Sequence, residues 1–359
     1  MNFSKFIPHS RPFITADEEN SMKSILKTGF LSEGEVVSKL ENEITKKTSG
    51  FDTVMTSSGM HAIALSLEAL DVYKKVVLLP GYTCRALIDA IYMVGAIPCM
   101  LDVGHDYLID IQSLQRAISK FKNNIGAIIV VNQFGIRERI AELMDYGYPV
   151  IEDCSHRFPS DNDGADKSDI KATCLVFSFH STKILSSAEG GAITSSIPEL
   201  MKNIRNIKKG LNTSGEYKKR FVTSMSDLHA TILVNQLKSY EKFLARRRFI
   251  SGKYRANLYN YVEFAAPERN VIFREPLQHD NVDEIIKYLE IKGILARRPI
   301  DPPIFKFCRL ETLNNAQKEF PGAEMAFKRT FSLPLYPSLL DSEVDRVIKT
   351  MINFFKSRN

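Results

Sequence analysis

Between residues 50 and 200, short apolar runs rich in β-branched residues alternate with segments whose apolar positions recur at helical spacing. The segments HAIALSLEAL and ALIDAIYMVGA predict two of the intervening helices. Because the strands between them are apolar on both faces, the pattern predicts an α/β domain whose central sheet is covered by helices on both sides. Six runs predict strands: TVMTSS (53–58), KVVLLP (75–80), GAIIVVNQF (126–134), YPVIEDC (148–154), CLVFSF (174–179) and GGAITSS (190–196).

From about residue 225 the pattern becomes helical over a long stretch. Residues 225–260 predict one long helix, and VDEIIKYLEIKG and DSEVDRVIKTMINFFKS predict two more. We therefore divide the chain into a large domain, residues 1–240, which includes an extended N-terminal arm, and a smaller C-terminal domain, residues 241–359. The basic segment 204–220 contains glycine and serine and is predicted to be a loop.

The composition argues against several classes of protein. No apolar run approaches the roughly 20 residues of a membrane helix, and the first residues lack the pattern of an export signal. Five scattered cysteines without CxxC pairs argue against a disulfide framework and a zinc site, and they predict a cytoplasmic protein. The net charge of +6 is modest, and the basic clusters carry no interleaved aromatic residues. No membrane or nucleic-acid partner is predicted, so these clusters are interpreted as solvated surface or, secondarily, as attraction for an anionic substrate.

The start of the first predicted helix carries a possible anion site. Ligands of α/β sheets bind just beyond the carboxyl ends of the strands, and SSGMHA follows the first strand directly. Ser57 or Ser58 can cap the helix, and Gly59 permits close approach of the backbone. The segment is therefore either an ordinary helix start or a binding site for a phosphate.

Two later strand ends carry titratable side chains. Asp153 ends a buried strand and requires a cation or a strong donor, supplied either by a ligand or by the protein. His156 follows it, as a ligand contact or as a packing residue. Lys183 lies beyond the next strand in FSFHSTK, where a dry environment would lower the pKa of its amine and make it a nucleophile toward an aldehyde. Ser178 offers a hydroxyl for a phosphate.

These groups match the three parts of pyridoxal 5′-phosphate (PLP). Its aldehyde requires a lysine, its ring nitrogen requires a carboxylate that keeps it protonated, and its phosphate requires an anion site. Neither GxGxxG nor GxxxxGK[ST] occurs, so the dinucleotide and P-loop interpretations lack their main residues.

Several motifs then carry a resemblance to a known family. VIEDCSHRF resembles the family motif "vIEDaaq/h", and FSFHSTKILSSAEGGAI resembles "FSFHptK-x-l-t-t-GEGGA". SSGMHAIALSLEAL resembles its "SGT-x-AL" phosphate turn, and the final block FSLPLYPSLLDSEVDRVI resembles "LPl-yp-l-t-x-eev". Over nearly its full length the chain resembles the DegT/DnrJ/EryC1/StrS family of PLP-dependent sugar aminotransferases.

The resemblance implies a type I PLP-dependent aminotransferase fold. This fold has a large domain with a mostly parallel central sheet between helices and a smaller C-terminal α+β domain. It also implies that Lys183 forms the Schiff base with PLP, that Asp153 pairs with the pyridine nitrogen and that His156 lies by the phenolic oxygen. Ser178, Ser58 and the backbone at Gly59 and Met60 would bind the phosphate.

Three positions depart from the family pattern. Met60 stands where the family usually has threonine, which leaves the backbone amide but removes a hydroxyl. Cys84 stands where an aromatic residue commonly stacks on the cofactor ring, with Tyr82 close by in sequence. Val222 replaces an asparagine that reaches the phosphate of the partner subunit. We expect these changes to alter the substrate rather than the chemistry.

The resemblance implies transfer of an amino group, from glutamate, to a keto-sugar that is nucleotide-linked, for surface polysaccharide or secondary-metabolite biosynthesis. It also implies a homodimer. Three alternatives remain open at this point: a non-nucleotide keto acceptor, a PLP-dependent sugar dehydratase, and a non-catalytic binding or regulatory relative. A dehydratase of this kind has histidine in place of the lysine, and a non-catalytic relative is expected to lose Lys183 or Asp153.

Overall fold

The computed structural model describes residues 6–48, 52–160, 172–211, 221, 223–269, 271–304 and 320–358. Its larger sheet has seven strands in the order β1-β7-β6-β5-β4-β2-β3. Only β7 runs antiparallel to its neighbours, so the other six strands share one direction. The strands are β1 Asp52–Thr56, β2 Val76–Pro80, β3 Ile97–Leu101, β4 Ile125–Val131, β5 Val150–Asp153, β6 Cys174–Ser178 and β7 Gly191–Ser195.

Helices cover both faces of this sheet, as the apolar strands predicted. One face packs against α3 (Gly59–Ala69), α4 (Ala86–Met93) and α7 (Pro198–Lys209). The other packs against α2 (Glu35–Lys47), α5 (Ile111–Phe121), α6 (Ile140–Met144) and the first half of α8 (Asp227–Leu258). The helix α1 (Ala16–Thr28) contacts α8. The α/β prediction is therefore confirmed.

A second, three-stranded sheet and its helices follow the long helix α8. Its strands are β8 Glu263–Phe264, β9 Leu277–Gln278 and β10 Thr330–Phe331. The C-terminal half of α8 packs in a separate apolar cluster with α9 (Val282–Ile291) and α11 (Asp341–Lys356), while α10 (Pro321–Arg329) joins the first core. Ile7 of the N-terminal segment pairs with Ile294, so this segment lies on its own chain. No helix in the described ranges is long and apolar enough to cross a membrane.

Some predicted boundaries were wrong. The strand predicted at 126–134 ends at Val131, because residues Gln133–Gly135 form a 3₁₀ turn in which Phe134 has a φ of 59°. Residues 204–209 of the predicted basic loop are the end of α7, where Arg205 pairs with Asp52 and the buried Lys208 pairs with Glu33. Residues 212–220 and Val222 lie outside the described residues.

Candidate active site

Two neighbouring parallel strands bring the predicted residues to one edge of the sheet. β5 ends at Asp153 and β6 ends at Ser178, with Asp153 opposite Val176 in the register. Because both strands run in the same direction, the residues that follow them emerge at the same edge.

Lys183 lies in a compact turn, residues 179–190, between β6 and β7. Backbone hydrogen bonds from Phe179 N to Gly190 O (2.9 Å) and from Ser187 N to Phe179 O (2.9 Å) close this turn. Ala188 and Gly190 adopt positive φ angles of 69° and 152°, the second of which only glycine adopts readily. The small-residue tail of FSFHSTKILSSAEGG thus lets the chain reverse and leaves Lys183 beside the ends of β5 and β6.

Asp153 is almost fully buried, with 3% of its surface exposed. Its Oδ1 accepts a hydrogen bond from the Ser155 backbone N–H at 2.8 Å. Burial raises the pKa of the Asp153 carboxyl, while the charge of Lys183 and the hydrogen bonds from Ser155 oppose that rise. A buried carboxylate requires a cation or a strong hydrogen-bond donor beside it, so Asp153 is placed to bind such a group.

The amine of Lys183 has the opposite shift. Burial lowers the pKa of Lys183 below its usual range, and the charge of Arg274 lowers it further, whereas Cys84 and Asp153 raise it. Its Nζ lies 5.3 Å from the centroid of the Phe273 ring. A lowered pKa increases the fraction of neutral amine, which is the nucleophilic form.

The start of α3 forms a narrow cradle beside these residues. Ser58 caps the helix, accepting a hydrogen bond from the His61 N–H at 3.2 Å, so the amides of Gly59 and Met60 at the first turn have no helical carbonyl to bind. A Cβ on Gly59 would come within 2.6 Å of the Ser178 Cβ, and one on Gly191 would come within 2.5 Å of Ser58 O. The structure therefore brings Ser58, Gly59 and Ser178 together, while the Met60 side chain packs toward the core.

His156 is held between aromatic rings. Its ring lies 4.1 Å from that of Phe273, at an interplanar angle of 14°, and the ring of Phe134 is also nearly parallel at 6.4 Å. Burial and the charges of Lys183 and Arg274 hold the pKa of His156 well below its usual range. The Phe134 backbone N–H donates to Nδ1 at 3.3 Å, so the neutral ring carries its proton on Nε2.

Cys84 and Tyr82 have different environments. Cys84 is exposed, yet enough protein surrounds it that burial raises the pKa of its thiol, with the charge of Lys183 opposing the rise. These two facts fit a side chain on the floor of a concave site. Tyr82 instead turns into the core, where its ring stacks on Tyr107 at 5.7 Å. Tyr82 does not take the place of the stacking aromatic residue.

Two residues at the site were missed by the sequence analysis. Phe273 contacts both His156 and Lys183, and Arg274 stacks on Phe273 with its guanidinium carbon 4.8 Å from the ring centroid. Both lie about 90 residues beyond Lys183, in a segment with no periodicity that marks a site. No signal in the sequence placed them here.

Three observed features fit PLP: the sheet edge, the turn of residues 179–190 that carries Lys183, and the start of α3. The cradle at Gly59 and Ser178 has no room for a Cβ, which suits close approach of a phosphate to backbone amides. The buried carboxylate and the lysine of lowered pKa meet the two remaining requirements of the cofactor. This combination fits a PLP-dependent enzyme of the type I fold.

The family model described as the DegT/DnrJ/EryC1/StrS aminotransferase family matches residues 12–352. The chain therefore belongs to this family, and it is a PLP-dependent sugar aminotransferase. Lys183 is present, so the dehydratase alternative loses its main requirement.

Solved structures share the fold of this chain. The chain is similar to Helicobacter pylori PseC, an aminotransferase involved in the biosynthesis of pseudoaminic acid, with a TM-score of 0.88 at 19% identity over 98% of this chain and 100% of that one. It is similar to a proposed sugar aminotransferase, Spr1654 from Streptococcus pneumoniae, in its PLP form, with a TM-score of 0.86 at 25% identity over 98% and 99% of the two chains. S. venezuelae DesV, solved in complex with a ketimine intermediate, has a TM-score of 0.85 at 21% identity over 97% and 99%.

Proposed function

We propose that this enzyme transfers the amino group of glutamate to the keto group of a nucleotide-linked sugar, for surface polysaccharide or secondary-metabolite biosynthesis. The observation that carries the catalytic part is the arrangement of Asp153 and Lys183 on neighbouring strand ends, with opposite pKa shifts. The similar structures named for pseudoaminic acid biosynthesis and for sugar amination support a sugar as the acceptor.

PLP supplies an electron sink that stabilises negative charge on the substrate carbon. Asp153 would hold a proton at the ring nitrogen, and burial away from water strengthens that interaction. Lys183 would bind the aldehyde carbon and, once released, would move a proton with its Nζ between the substrate carbon and the cofactor. The Nε2–H of His156 would donate to the phenolic oxygen.

The α3 cradle would bind the phosphate. The amides of Gly59 and Met60 point from the helix start, and Ser58 and Ser178 supply hydroxyls. Cys84 would lie against the cofactor ring in place of an aromatic residue, supported by the mutual electrostatic influence of Cys84, Lys183 and Asp153.

Lysine labelling tests the assignment directly. Borohydride reduction of the holoenzyme followed by peptide mapping should find the cofactor on Lys183, and Lys183→Ala should abolish turnover while the protein still folds and binds pyridoxamine phosphate. The exposed Lys202, on α7, gives a matched control, because Lys202→Ala should retain both label and activity. A label on any other lysine would refute the role of Lys183.

The acceptor requires a separate test. A panel of nucleotide-linked keto-sugars, free keto-sugars and keto-cyclitols, incubated with labelled glutamate, should show label only in the nucleotide-linked products. Amination restricted to a free keto-sugar or cyclitol would instead support the non-nucleotide alternative.

We further propose a cytoplasmic homodimer with a large domain of residues 1–240 and a small domain of residues 241–359. The family supports the dimer. The domain proposal is supported by the separate apolar cluster around α9, α11 and the end of α8.

A further inference from the structure

A cleft of about 670 Å³ opens beside Lys183 on the side of the smaller sheet. Thr182, the neighbour of Lys183, forms part of one wall, and the N-terminal segment contributes His9. Arg274 and Arg297 line the cleft with them. The cleft therefore lies between the turn that carries Lys183 and the segments around β10, and it contains two arginines, Arg274 and Arg297, that have no carboxylate partner among the described residues.

Arg274 is the inner of these cations. Its guanidinium stacks on Phe273, and its Nη1 lies 2.8 Å from Nε2 of His9. Burial and the nearby charge of Arg297 lower the pKa of Arg274 to about 10. Burial and the charges of both arginines also hold the pKa of His9 well below its usual range, so His9 is neutral and adds no charge of its own.

Neither Arg274 nor Arg297 forms an ion pair with a carboxylate of the described residues. The neighbouring Arg298 contrasts with them, because it pairs with Asp283 at 2.8 Å and donates to the carbonyl of Lys328 at 2.7 Å. The remaining acidic residues of the cleft, Glu290 and Asp301, are exposed at its rim. Arg274 is half-buried, whereas Arg297 beside it is exposed. Arg274 thus has no carboxylate partner among the described residues, which is costly at its partly buried position unless a ligand supplies one.

We propose that Arg274 and Arg297 bind an oxyanion of the substrate, a carboxylate or a phosphate, beside Lys183. Two guanidinium groups present paired N–H donors that match the geometry of carboxylate and phosphate oxygens. Thr182 forms the wall next to the reacting lysine, with its hydroxyl 3.1 Å from Nδ1 of His180. The inference rests on the proposed function, because it assigns the oxyanion either to glutamate or to the keto-sugar.

Arg274 also acts on the lysine. The charge of Arg274 lowers the pKa of Lys183 and of His156. An oxyanion that neutralises Arg274 removes this influence, so the pKa of the released Lys183 amine rises while the oxyanion is bound. The cleft thereby couples substrate binding to the proton-transfer group.

Calorimetric titration of the holoenzyme with glutarate and with inorganic phosphate tests the site without requiring turnover. Arg274→Met and Arg297→Met should each weaken binding of the preferred probe by about ten-fold or more, as expected for loss of a charge-assisted hydrogen bond. Arg298→Met is the matched control, because this arginine lines the same cleft but already has a carboxylate partner. If Arg274→Met does not fold, Arg274→Lys and Arg297→Met carry the test.

The two half-reactions then identify which substrate supplies the oxyanion. An increase in KM for glutamate alone assigns a donor carboxylate, and an increase for the acceptor alone assigns an acidic group on the sugar. Unchanged probe binding and unchanged KM in both arginine variants, or equal losses in Arg298→Met, would overturn the proposal. Failure of every keto-sugar as acceptor, with probe binding still lost in the variants, would count against the proposed acceptor and leave the oxyanion site supported.

Discussion

Asp153 and Lys183 are both driven toward their neutral forms by burial, so their pKa values shift in opposite directions. The charge of each opposes the shift of the other. These opposite shifts suit the proposed roles, in which Asp153 holds a proton on the cofactor and Lys183 moves one.

Replacement of the carboxylate tests this balance. Asp153→Asn should lower kcat by orders of magnitude, about the 10²–10⁴ range of acid–base contributions, because an amide cannot hold the ring nitrogen protonated. Thermal denaturation should show little change, since the amide oxygen can still accept from the Ser155 N–H. Retention of most of the activity by the variant would make Asp153 a structural residue.

Cys84 offers a chemical probe of the site. Cys84 is exposed, whereas Cys99, Cys154 and Cys174 are buried, so iodoacetamide should modify Cys84 first among these four. Because burial raises the pKa of the Cys84 thiol, the reaction should be slow near neutral pH and accelerate in alkaline solution.

Loading with PLP should protect Cys84 from modification, as measured by mass spectrometry of tryptic peptides. Cys84→Ser is the control and should remove the fast-reacting position. Equal modification rates with and without cofactor would place Cys84 away from the ring.

At the scale of single elements, the start of α3 depends on the absence of a side chain. Gly59→Ala would place a Cβ 2.6 Å from the Ser178 Cβ, so backbone atoms must shift at the cradle. We expect a loss of PLP affinity of about ten-fold or more, measured by fluorescence titration, because backbone amides that bind phosphate must approach it closely.

Gly252 in α8 provides the matched control for this substitution. A Cβ there meets no atom within 4 Å, so Gly252→Ala should leave PLP affinity unchanged and stabilise the protein by about 0.5–1 kcal/mol through helix propensity. Equal PLP affinity in Gly59→Ala and wild type would show that the cradle does not bind the phosphate.

At the scale of the whole molecule, His9 joins the N-terminal segment to the smaller sheet. Its Nε2 lies 2.9 Å from the Ser332 Oγ, and its pKa is well below that of a free histidine. At pH values between this lowered pKa and about 6.5, the unfolded chain binds more protons than the folded one. The contribution of His9 to the free energy of unfolding is therefore complete above about pH 6.5 and is lost as the pH falls.

The change His9→Gln should remove this dependence. Relative to the variant, the wild type should lose up to ~1.4 kcal/mol of unfolding free energy per pH unit below about pH 6.5. Denaturant unfolding of both apoenzymes at several pH values measures this difference in unfolding free energy. His156 and the buried carboxyls contribute equally to both proteins, so their effects cancel in the comparison. Parallel pH profiles for the two proteins would contradict the assignment.

Assembly can be tested at the same scale. We expect a homodimer, because two-fold dimers are the commonest closed assemblies and the family implies one. Sedimentation velocity at micromolar concentration should give a single species of twice the chain mass. A fully active monomer under these conditions would refute the prediction.

The alternation of apolar strands and helices, and the identity of the residues at the strand ends, were determined by the sequence alone. Both are local properties: a strand buried on both faces must be apolar throughout, and a polar residue directly after it must lie at the sheet edge. Asp153, Ser178 and the lysine turn could therefore be predicted without knowledge of which strands pair.

Contacts between distant segments were decided only by the tertiary structure. Tyr82 lies in the core with its ring stacked on that of Tyr107. Residues 204–209 continue α7, where Arg205 pairs with Asp52 and Lys208 pairs with Glu33. Phe273 and Arg274 reached Lys183 from a segment that carries no local signal. Such contacts depend on packing between elements far apart in sequence, which neither periodicity nor spacing encodes.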